Sequence, residues 1–159
     1  MAEHKATIRW KGGSPDFLKG RFSREHTWTF DGGLSVIASA APSVVPPPMS
    51  NPEGVDPEEA FVASLSSCHM LTFLFLAYRK GIQVDSYEDE AVGAMAKAEN
   101  GVPWVSQITL NPRIVYGGEK QPARDEEGEL HKQSHHYCFI ANSMKTKVVV
   151  SGFEESSAA

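Results

Sequence analysis

Cysteine is scarce in this chain, which has only two among its 159 residues, Cys68 and Cys138. Two cysteines are too few for the disulfide-dense frameworks that stabilise small secreted domains. A chain of this length is also long enough to form one domain around its own hydrophobic core. We therefore expect the two thiols to be free or redox-active in a reducing compartment rather than structural staples.

An excess of positive charge and a leading apolar run are also missing. The formal net charge is -5, which excludes a general footprint for nucleic acid or anionic membrane. The N-terminal residues MAEHKATIRW carry no apolar run after their charges, so no secretory signal is predicted. The longest apolar stretch, around Cys68, is interrupted by serines, a histidine and Arg79-Lys80. We therefore expect no membrane span and a cytoplasmic location.

Proline, by contrast, is concentrated in one place. Six of the ten prolines fall between Pro42 and Pro57, which predicts an extended, semi-rigid arm over residues 42–57. Asp56-Pro57-Glu58-Glu59 then has the pattern of a helix start, with a capping residue, a proline and two acidic residues. The predicted helix continues to about Lys80. It is apolar nearly all round, which predicts burial on most sides.

The remaining elements are predicted to be mainly strands. Asp31-Gly32-Gly33 between two apolar runs predicts a hairpin. A second helix is predicted from about residue 127 to 143, and residues 154–159 are predicted to be a frayed tail. The predicted strands cover residues 4–11, 86–98, 104–111 and 113–116 (the last two as one strand bent at Pro112) and the segment KTKVVVSGF. This order predicts an α+β fold, with an antiparallel sheet and two core helices, in a single domain over residues 1–159.

Cys68 lies in the first helix, where residues three, four and seven apart share a face. That face is apolar with two hydroxyls, and comprises Phe61, Ser64, Leu65, Leu71, Thr72 and Phe75. His69 is about 100° further round the helix, so its side chain diverges from Cys68. A Cys–His nucleophilic pair, and with it a hydrolase, is therefore disfavoured. In the second helix, His135 shares the face of Cys138.

Four interpretations of the thiols remain open from the residues alone. Both cysteines can be ordinary core residues. They can bind zinc with His135, and with His131 or His136 as a fourth ligand. A structural disulfide between them would close a loop of about 70 residues. Finally, an arginine near one of them would favour its thiolate, and the pair could then carry out redox chemistry.

The segment VDPEEAFVASLSSCHMLTFL resembles the signature helix of the OsmC/Ohr family, the osmotically inducible and organic hydroperoxide resistance proteins. That signature is an Asn/Asp-Pro-Glu opening with a cysteine ten residues after the glutamate, as Glu58 and Cys68 are here. Cys138 matches the second family cysteine, about seventy residues further on and before a final strand. The resemblance covers nearly the whole chain, and His69 directly after Cys68 favours the OsmC-like branch.

The resemblance implies an intertwined homodimer with two active sites at the subunit interface. It also implies a thiol-dependent peroxidase for organic hydroperoxides, with Cys68 as the peroxidatic thiol and Cys138 as the resolving thiol. An arginine near the N-terminal hairpin would hold the thiolate, steadied by Glu58. Arg24 is the expected arginine, with Arg21 as the alternative. An external dithiol of lipoyl type would restore the enzyme. No metal, flavin, nucleic acid or membrane is implied.

Two further expectations concern the shape of the site. Phe61, Leu65, Leu71 and Phe75 would line the substrate site. Ten residues of straight helix span about 15 Å, so Glu58 and Cys68 could share one arginine only if the helix breaks, which we expect at residues 64–67. His26 in REHTW could join the site, but a packed or exposed strand histidine is the favoured interpretation. Because fold does not settle function, the alternative is a non-catalytic metal- or small-ligand-binding protein on the same fold.

Overall fold

The computed structural model describes residues 1–154, which form an α+β fold, as predicted. Internal contacts group the chain into two units, Met1–Ala60 and Phe61–Ala159, and each is described by itself. In chain order, the described elements are β1 Ala6–Arg9, β2 His26–Phe30, β3 Ser35–Ala38, α1 Pro57–Arg79, β4 Gln83–Asp89, β5 Val92–Lys97, β6 Pro103–Leu110, β7 Pro112–Gly117, α2 Arg124–Tyr137 and β8 Lys147–Val150. Of the predicted tail, residues 155–159 lie outside the described range.

The first unit contains a three-stranded antiparallel sheet in the order β1-β2-β3. The predicted hairpin is confirmed, and Gly33 adopts a φ of 90° at its turn, a conformation that glycine tolerates best. The proline-rich arm returns alongside β3. Backbone hydrogen bonds join Val55 N–H to the Ile37 carbonyl and Ser39 N–H to the Val55 carbonyl, each at 3.0 Å. The arm is therefore anchored to the sheet at its end.

Helix α1 begins where the sequence predicts. The Asp56 carboxylate accepts a hydrogen bond from Glu59 N–H at 2.7 Å, and the Glu59 carboxylate accepts one from Asp56 N–H at 3.2 Å. This reciprocal pair is a capping box. The helix runs unbroken from Pro57 to Arg79, so the break expected at residues 64–67 is absent.

The predicted burial of α1 on most sides is wrong for this chain. One stripe is buried, formed by Leu65, His69, Phe73 and Ala77 at successive four-residue intervals. The sequence predicts that polar residues interrupt the apolar stretch of α1 before it reaches the length of a membrane span. By length and composition alone, however, α1 could cross a membrane. A core helix of a soluble protein meets the same criteria, and here the buried stripe packs into protein.

The second unit contains two sheets. Strands β4 and β7 form an antiparallel pair, and the other sheet has the order β5-β6-β8. The predicted strand over 86–98 is two strands, β4 and β5, in different sheets. The single bent strand at Pro112 is also wrong, because β6 and β7 belong to different sheets. Strand β8 runs parallel to β6, so the second sheet is mixed rather than wholly antiparallel.

Helix α2 is shorter than predicted and ends at Tyr137, so Cys138 follows the helix instead of lying within it. The Asn142 side-chain amide donates to the carbonyls of His136 and Cys138, both at 2.8 Å. These hydrogen bonds satisfy carbonyl groups that the end of the helix leaves without partners. Cys138 is thereby placed in a turn that faces the core.

Two groups of buried side chains form the core of the second unit. One contains Leu65, Ile108, Leu110 and Cys138, and the other contains Phe73, Ala77, Ile82 and Leu130. Helix α1 contributes to both groups. The first group contains Cys138, one of the two cysteines of the candidate site.

Candidate functional site

The two cysteines meet in the second unit. Cys138 is fully buried, and Cys68 is half-buried and packs against the core group that contains Cys138. Both are free thiols, and they lie close enough for Cys68 to affect the pKa of Cys138. The Cys138 sulfur also accepts a hydrogen bond from Ala141 N–H at 3.4 Å. Residues 70 positions apart are thus brought together by α1 and by the turn after α2.

The two thiols differ in their surroundings. The pKa of Cys138 is raised to about 11, mainly by burial and to a smaller extent by the neighbouring Cys68. A charged thiolate is poorly solvated in an apolar core, so the neutral thiol is favoured. Cys138 is therefore protonated at neutral pH and is a weak nucleophile until it loses its proton. Cys68 is the more accessible of the pair.

The apolar residues expected beside Cys68 fall into two classes. Leu65 is fully buried, and Phe61 packs against the same core group as Cys68. Leu71 and Phe75 are 60% and 51% exposed, and they lie on the open face of α1. Leu65 thus belongs to the core group that contains Cys138 and Phe61 packs against it, whereas Leu71 and Phe75 present apolar surface outward. A substrate-lining role for all four stays a prediction.

Arg24 lies in the first unit, on the wall of a cavity of about 490 Å³. Its guanidinium donates to the carbonyls of Gly20 at 3.0 Å and Phe22 at 2.5 Å, and its Cζ lies 3.6 Å from the centroid of the Phe22 ring. Arg21 is exposed and does not line this cavity. The cavity is otherwise largely apolar, with walls formed by Ile8, Trp10, Phe17, Phe22, His26, Ser39, Ala40 and Pro57. Of the two candidate arginines, Arg24 is thus the one that lines this cavity.

Glu58 is half-buried and follows Pro57, which is part of the cavity wall. Among residues 1–154, no hydrogen bond or ion pair joins Glu58 to Arg24. The expected pairing of these two side chains is therefore not made within one chain as it stands. Their roles at Cys68 remain predictions.

His26 has both ring nitrogens occupied, as a packed strand histidine does, and it also lines the cavity that Arg24 lines. Its Nδ1 lies 2.7 Å from the Arg24 carbonyl, and its Nε2 accepts a hydrogen bond from Trp28 Nε1–H at 2.9 Å. These partners fix the neutral tautomer with the proton on Nδ1. His26 thereby holds the backbone of Arg24 and has no free nitrogen for proton transfer.

A buried histidine pair was missed by the sequence interpretation. His69 Nε2 and His131 Nδ1 lie 3.0 Å apart, and the two rings are stacked. Burial is the main cause that lowers the pKa of His69 to about 3 and that of His131 to about 4, so both are neutral at pH 7. The divergence of His69 from Cys68 did indicate another partner for it, but 62 residues separate that partner in the sequence.

His131 and His135 are four residues apart on α2 and form an HxxxH pair, so the sequence interpretation was wrong to count no such pair. Within residues 1–154, however, no three or more His, Cys, Asp or Glu side chains are grouped so as to hold a metal ion. The four-ligand zinc set that was one of the open interpretations, Cys68, Cys138, His135 and either His131 or His136, is therefore not assembled among these residues. The thiol pair is the chemically distinctive feature of this unit.

Comparison with known proteins identifies the family of this chain. The family model described as OsmC-like protein matches residues 50–151, which include α1 and both cysteines. The chain belongs to the OsmC-like protein family. The chain is also similar to a solved OsmC-like protein of unknown function from Vibrio cholerae, with 47% identity and a TM-score of 0.91 over 94% of this chain and 98% of that one.

More distant OsmC-like structures share the fold alone. An organic hydroperoxide resistance protein from Elizabethkingia anophelis has 17% identity and a TM-score of 0.67, covering 94% of this chain and 93% of that one. The organic hydroperoxide resistance protein OhrB of Bacillus subtilis has 21% identity and a TM-score of 0.61, covering 94% and 95%. A comparison with curated proteins gives no match. The family is thus shown, and the activity of this OsmC-like chain is a separate question.

Proposed function

We propose that this OsmC-like protein is a thiol-dependent peroxidase that reduces organic hydroperoxides to alcohols. The observation that carries the proposal is the packing of a half-buried Cys68 against the core group that contains the fully buried Cys138. When a reactive thiol packs close to a second thiol, its sulfenic acid can be trapped as a disulfide. Members of the family are named for organic hydroperoxide resistance, which supports the same substrate class.

In the first step, the Cys68 thiolate attacks the terminal oxygen of ROOH. An S–O bond forms and the O–O bond breaks, so that the peroxide gains two electrons and leaves as RO⁻, which takes a proton to become the alcohol. Cys68 is oxidised to a sulfenic acid.

In the second step, Cys138 loses its proton and attacks the Cys68 sulfur. An S–S bond forms, the S–O bond breaks, and the hydroxide that leaves accepts the proton from Cys138 as water. An external dithiol then reduces the Cys68–Cys138 disulfide by thiol–disulfide exchange. A lipoyl-type dithiol is the proposed reductant, following the family resemblance.

Arg24 and Glu58 are proposed to complete the site in a homodimer. A guanidinium near Cys68 would favour its thiolate, and a carboxylate would orient the guanidinium. Because α1 is unbroken, Glu58 stays about 15 Å along the helix axis from Cys68 of its own chain. The geometry therefore favours a site in which Arg24 and Glu58 are supplied to Cys68 by a second copy of the chain.

The substrate's organic group is proposed to lie against apolar side chains. Leu65 belongs to the core group that contains Cys138 and Phe61 packs against it, and Leu71 and Phe75 provide further apolar surface on α1. Water is a poor competitor for such a surface, which favours an alkyl or aryl hydroperoxide over hydrogen peroxide. A cytoplasmic location, where thiols stay reduced, belongs to the same proposal.

The decisive experiment is mass spectrometry of the reduced protein after about one equivalent of cumene hydroperoxide, followed by non-reducing peptide mapping. A Cys68–Cys138 disulfide is expected in the native chain and none in Cys68→Ser. Cys138→Ser should stop at a sulfenic acid on Cys68. Ser67→Ala, at an exposed position of the same helix, is the matched control and should behave as native. Unmodified thiols in the native protein would leave the non-catalytic ligand-binding alternative in place.

A second experiment tests the arginine and the glutamate. Arg24→Met should slow the reaction of Cys68 with cumene hydroperoxide, and the neighbouring exposed Arg21→Met should not. Glu58→Gln should also slow the reaction. Glu59→Gln is its control, because a glutamine there still accepts the capping hydrogen bond from Asp56 N–H. Equal rates for Arg24→Met and Arg21→Met would remove Arg24 from the proposal.

A further inference from the structure

The backbone at Cys138 is not anchored by the side chains directly beside it. Cys138 itself is fully buried, but Tyr137 and Phe139 on either side of it are 58% and 83% exposed. Ile140 and Ala141 pack against the core group further along the chain. At Cys138 the chain leaves the helical conformation of α2, with a φ of -67° and a ψ of 116°. The orientation of this peptide therefore depends on the hydrogen bonds that it makes.

Asn142 supplies those hydrogen bonds. Its backbone N–H donates to the Cys138 carbonyl at 3.0 Å. Its side-chain amide donates to the same carbonyl and to the His136 carbonyl, both at 2.8 Å. The Cys138 carbonyl thus accepts two hydrogen bonds from one residue, and both N–H groups of the Asn142 amide are used. A rotation of the Cys138 peptide would break these contacts.

The same turn directs a backbone donor at the sulfur, because Ala141 N–H donates to Cys138 Sγ at 3.4 Å. Burial is the largest influence on the pKa of Cys138 and raises it, whereas this hydrogen bond acts in the opposite direction. A hydrogen bond to the charged form of a group stabilises that form. The donor and the sulfur both belong to the turn from Cys138 to Asn142, so the turn sets their geometry.

The second step of the proposed cycle makes two demands on this geometry. As the S–S bond to Cys68 forms and the S–O bond of the sulfenic acid breaks, the proton of Cys138 passes to the leaving hydroxide. Negative charge therefore builds on the Cys138 sulfur, and a backbone N–H that already points at it stabilises that charge without reorganisation. A disulfide also requires Cα atoms about 4.4–6.8 Å apart. A fixed peptide at Cys138 favours both.

We propose that Asn142 is a positioning residue for the formation of the disulfide, and that its side-chain amide holds the turn in which the Cys138 sulfur lies within reach of Cys68 and receives Ala141 N–H. Asn142 acts through the Cys138 carbonyl rather than through the reacting sulfurs. The inference rests on the proposed peroxidase cycle and concerns its second step only. Oxidation of Cys68 by the peroxide should not depend on Asn142.

The same turn provides a matched control. Ser143 Oγ donates to the Phe139 carbonyl at 2.8 Å, with the same four-residue spacing as between Asn142 and Cys138. Ser143→Ala thus removes a comparable hydrogen bond from this turn and leaves the Cys138 carbonyl untouched. Asn142→Ala removes both side-chain hydrogen bonds. Asn142→Ser keeps a hydroxyl that can reach the Cys138 carbonyl as Ser143 reaches that of Phe139.

The test follows the two steps separately after about one equivalent of cumene hydroperoxide is added to the reduced protein. Samples quenched at intervals are mapped by mass spectrometry for the Cys68 sulfenic acid and for the Cys68–Cys138 disulfide. Asn142→Ala should form the sulfenic acid at the native rate and close the disulfide about fivefold more slowly, as the loss of such hydrogen bonds predicts. Asn142→Ser should recover most of the closure rate, and Ser143→Ala should close at the native rate.

The unaltered protein gives a second readout, which holds even if a variant fails to fold. Both side-chain N–H protons of Asn142 should exchange with solvent more slowly than those of Asn100, which is exposed in a turn. Equal exchange would overturn the inference, as would native closure in Asn142→Ala or equal slowing in Asn142→Ala and Ser143→Ala. In these cases the native protein still forms its disulfide and the peroxidase proposal stands. If the native protein forms none, the peroxidase proposal itself fails.

Discussion

Cys138 should be nearly inert to alkylation in the folded, reduced protein. Its pKa is raised from an ordinary 9.0 to about 11, first by burial and second by the neighbouring Cys68. Alkylating reagents react with the thiolate, and at pH 8 a rise of two pKa units lowers the thiolate fraction about 100-fold. We therefore expect iodoacetamide to modify Cys138 at least about 100-fold more slowly in the folded protein than in urea.

The assay is pulsed alkylation, quenched at intervals and read by peptide mapping of both cysteines. A pH series separates protonation from simple lack of access. If the raised pKa is the cause, the rate at Cys138 should keep rising through pH 10, whereas a purely steric barrier would give a midpoint near pH 9. Cys68→Ala should lower the pKa of Cys138 only part of the way, because burial is the larger cause. A folded-state rate within about threefold of the rate in urea would refute the reasoning.

Three further predictions concern stability. Since His69 and His131 are held neutral with pKa values of about 3 and 4, the unfolded chain binds more protons than the folded one below pH 6.5. The free energy of unfolding should therefore fall as the pH is lowered towards 4, by up to about 1 kcal/mol per pH unit for each histidine. A variant that combines His69→Leu and His131→Leu should have a Tm that depends less on pH. Leu65→Ala, at a fully buried position, should cost about 2–5 kcal/mol in urea unfolding, and Leu65→Met less than about 1.5 kcal/mol. Asp56→Ala removes the acceptor for Glu59 N–H and should cost about 1 kcal/mol, whereas Asp56→Asn should keep most of that stability.

Locally encoded features could be predicted from the sequence. The Asp31-Gly32-Gly33 turn needs backbone conformations that glycine supplies, and it produced the hairpin where predicted. Asp56 and Pro57 fixed the start of α1 because a helix start depends on a few adjacent residues. In both places, the chemistry that decides the structure lies within four residues.

Features that depend on distant partners could not be predicted in the same way. The separation of β6 and β7 into different sheets depends on pairing with β8 and β4, which a local hydrophobic pattern does not specify. The end of α2 at Tyr137 depends on Asn142, whose side chain caps carbonyl groups from beyond the helix. The His69–His131 pair joins two helices across 62 residues. Each of these outcomes is decided by contacts that form only when the chain has folded.

The difference between the two cysteines gives the proposed cycle its order. A thiol that burial keeps protonated is protected from peroxides and from chance oxidation while Cys68 is reduced. Once Cys68 has become a sulfenic acid, the hydroxide that leaves it can accept the proton of Cys138, so the second step supplies its own base. Cys138 thus needs no activating arginine, and the first step depends on a cation beside Cys68 alone. Under this reasoning, Arg24→Met should slow sulfenic acid formation and leave the subsequent closure of the disulfide at its native rate.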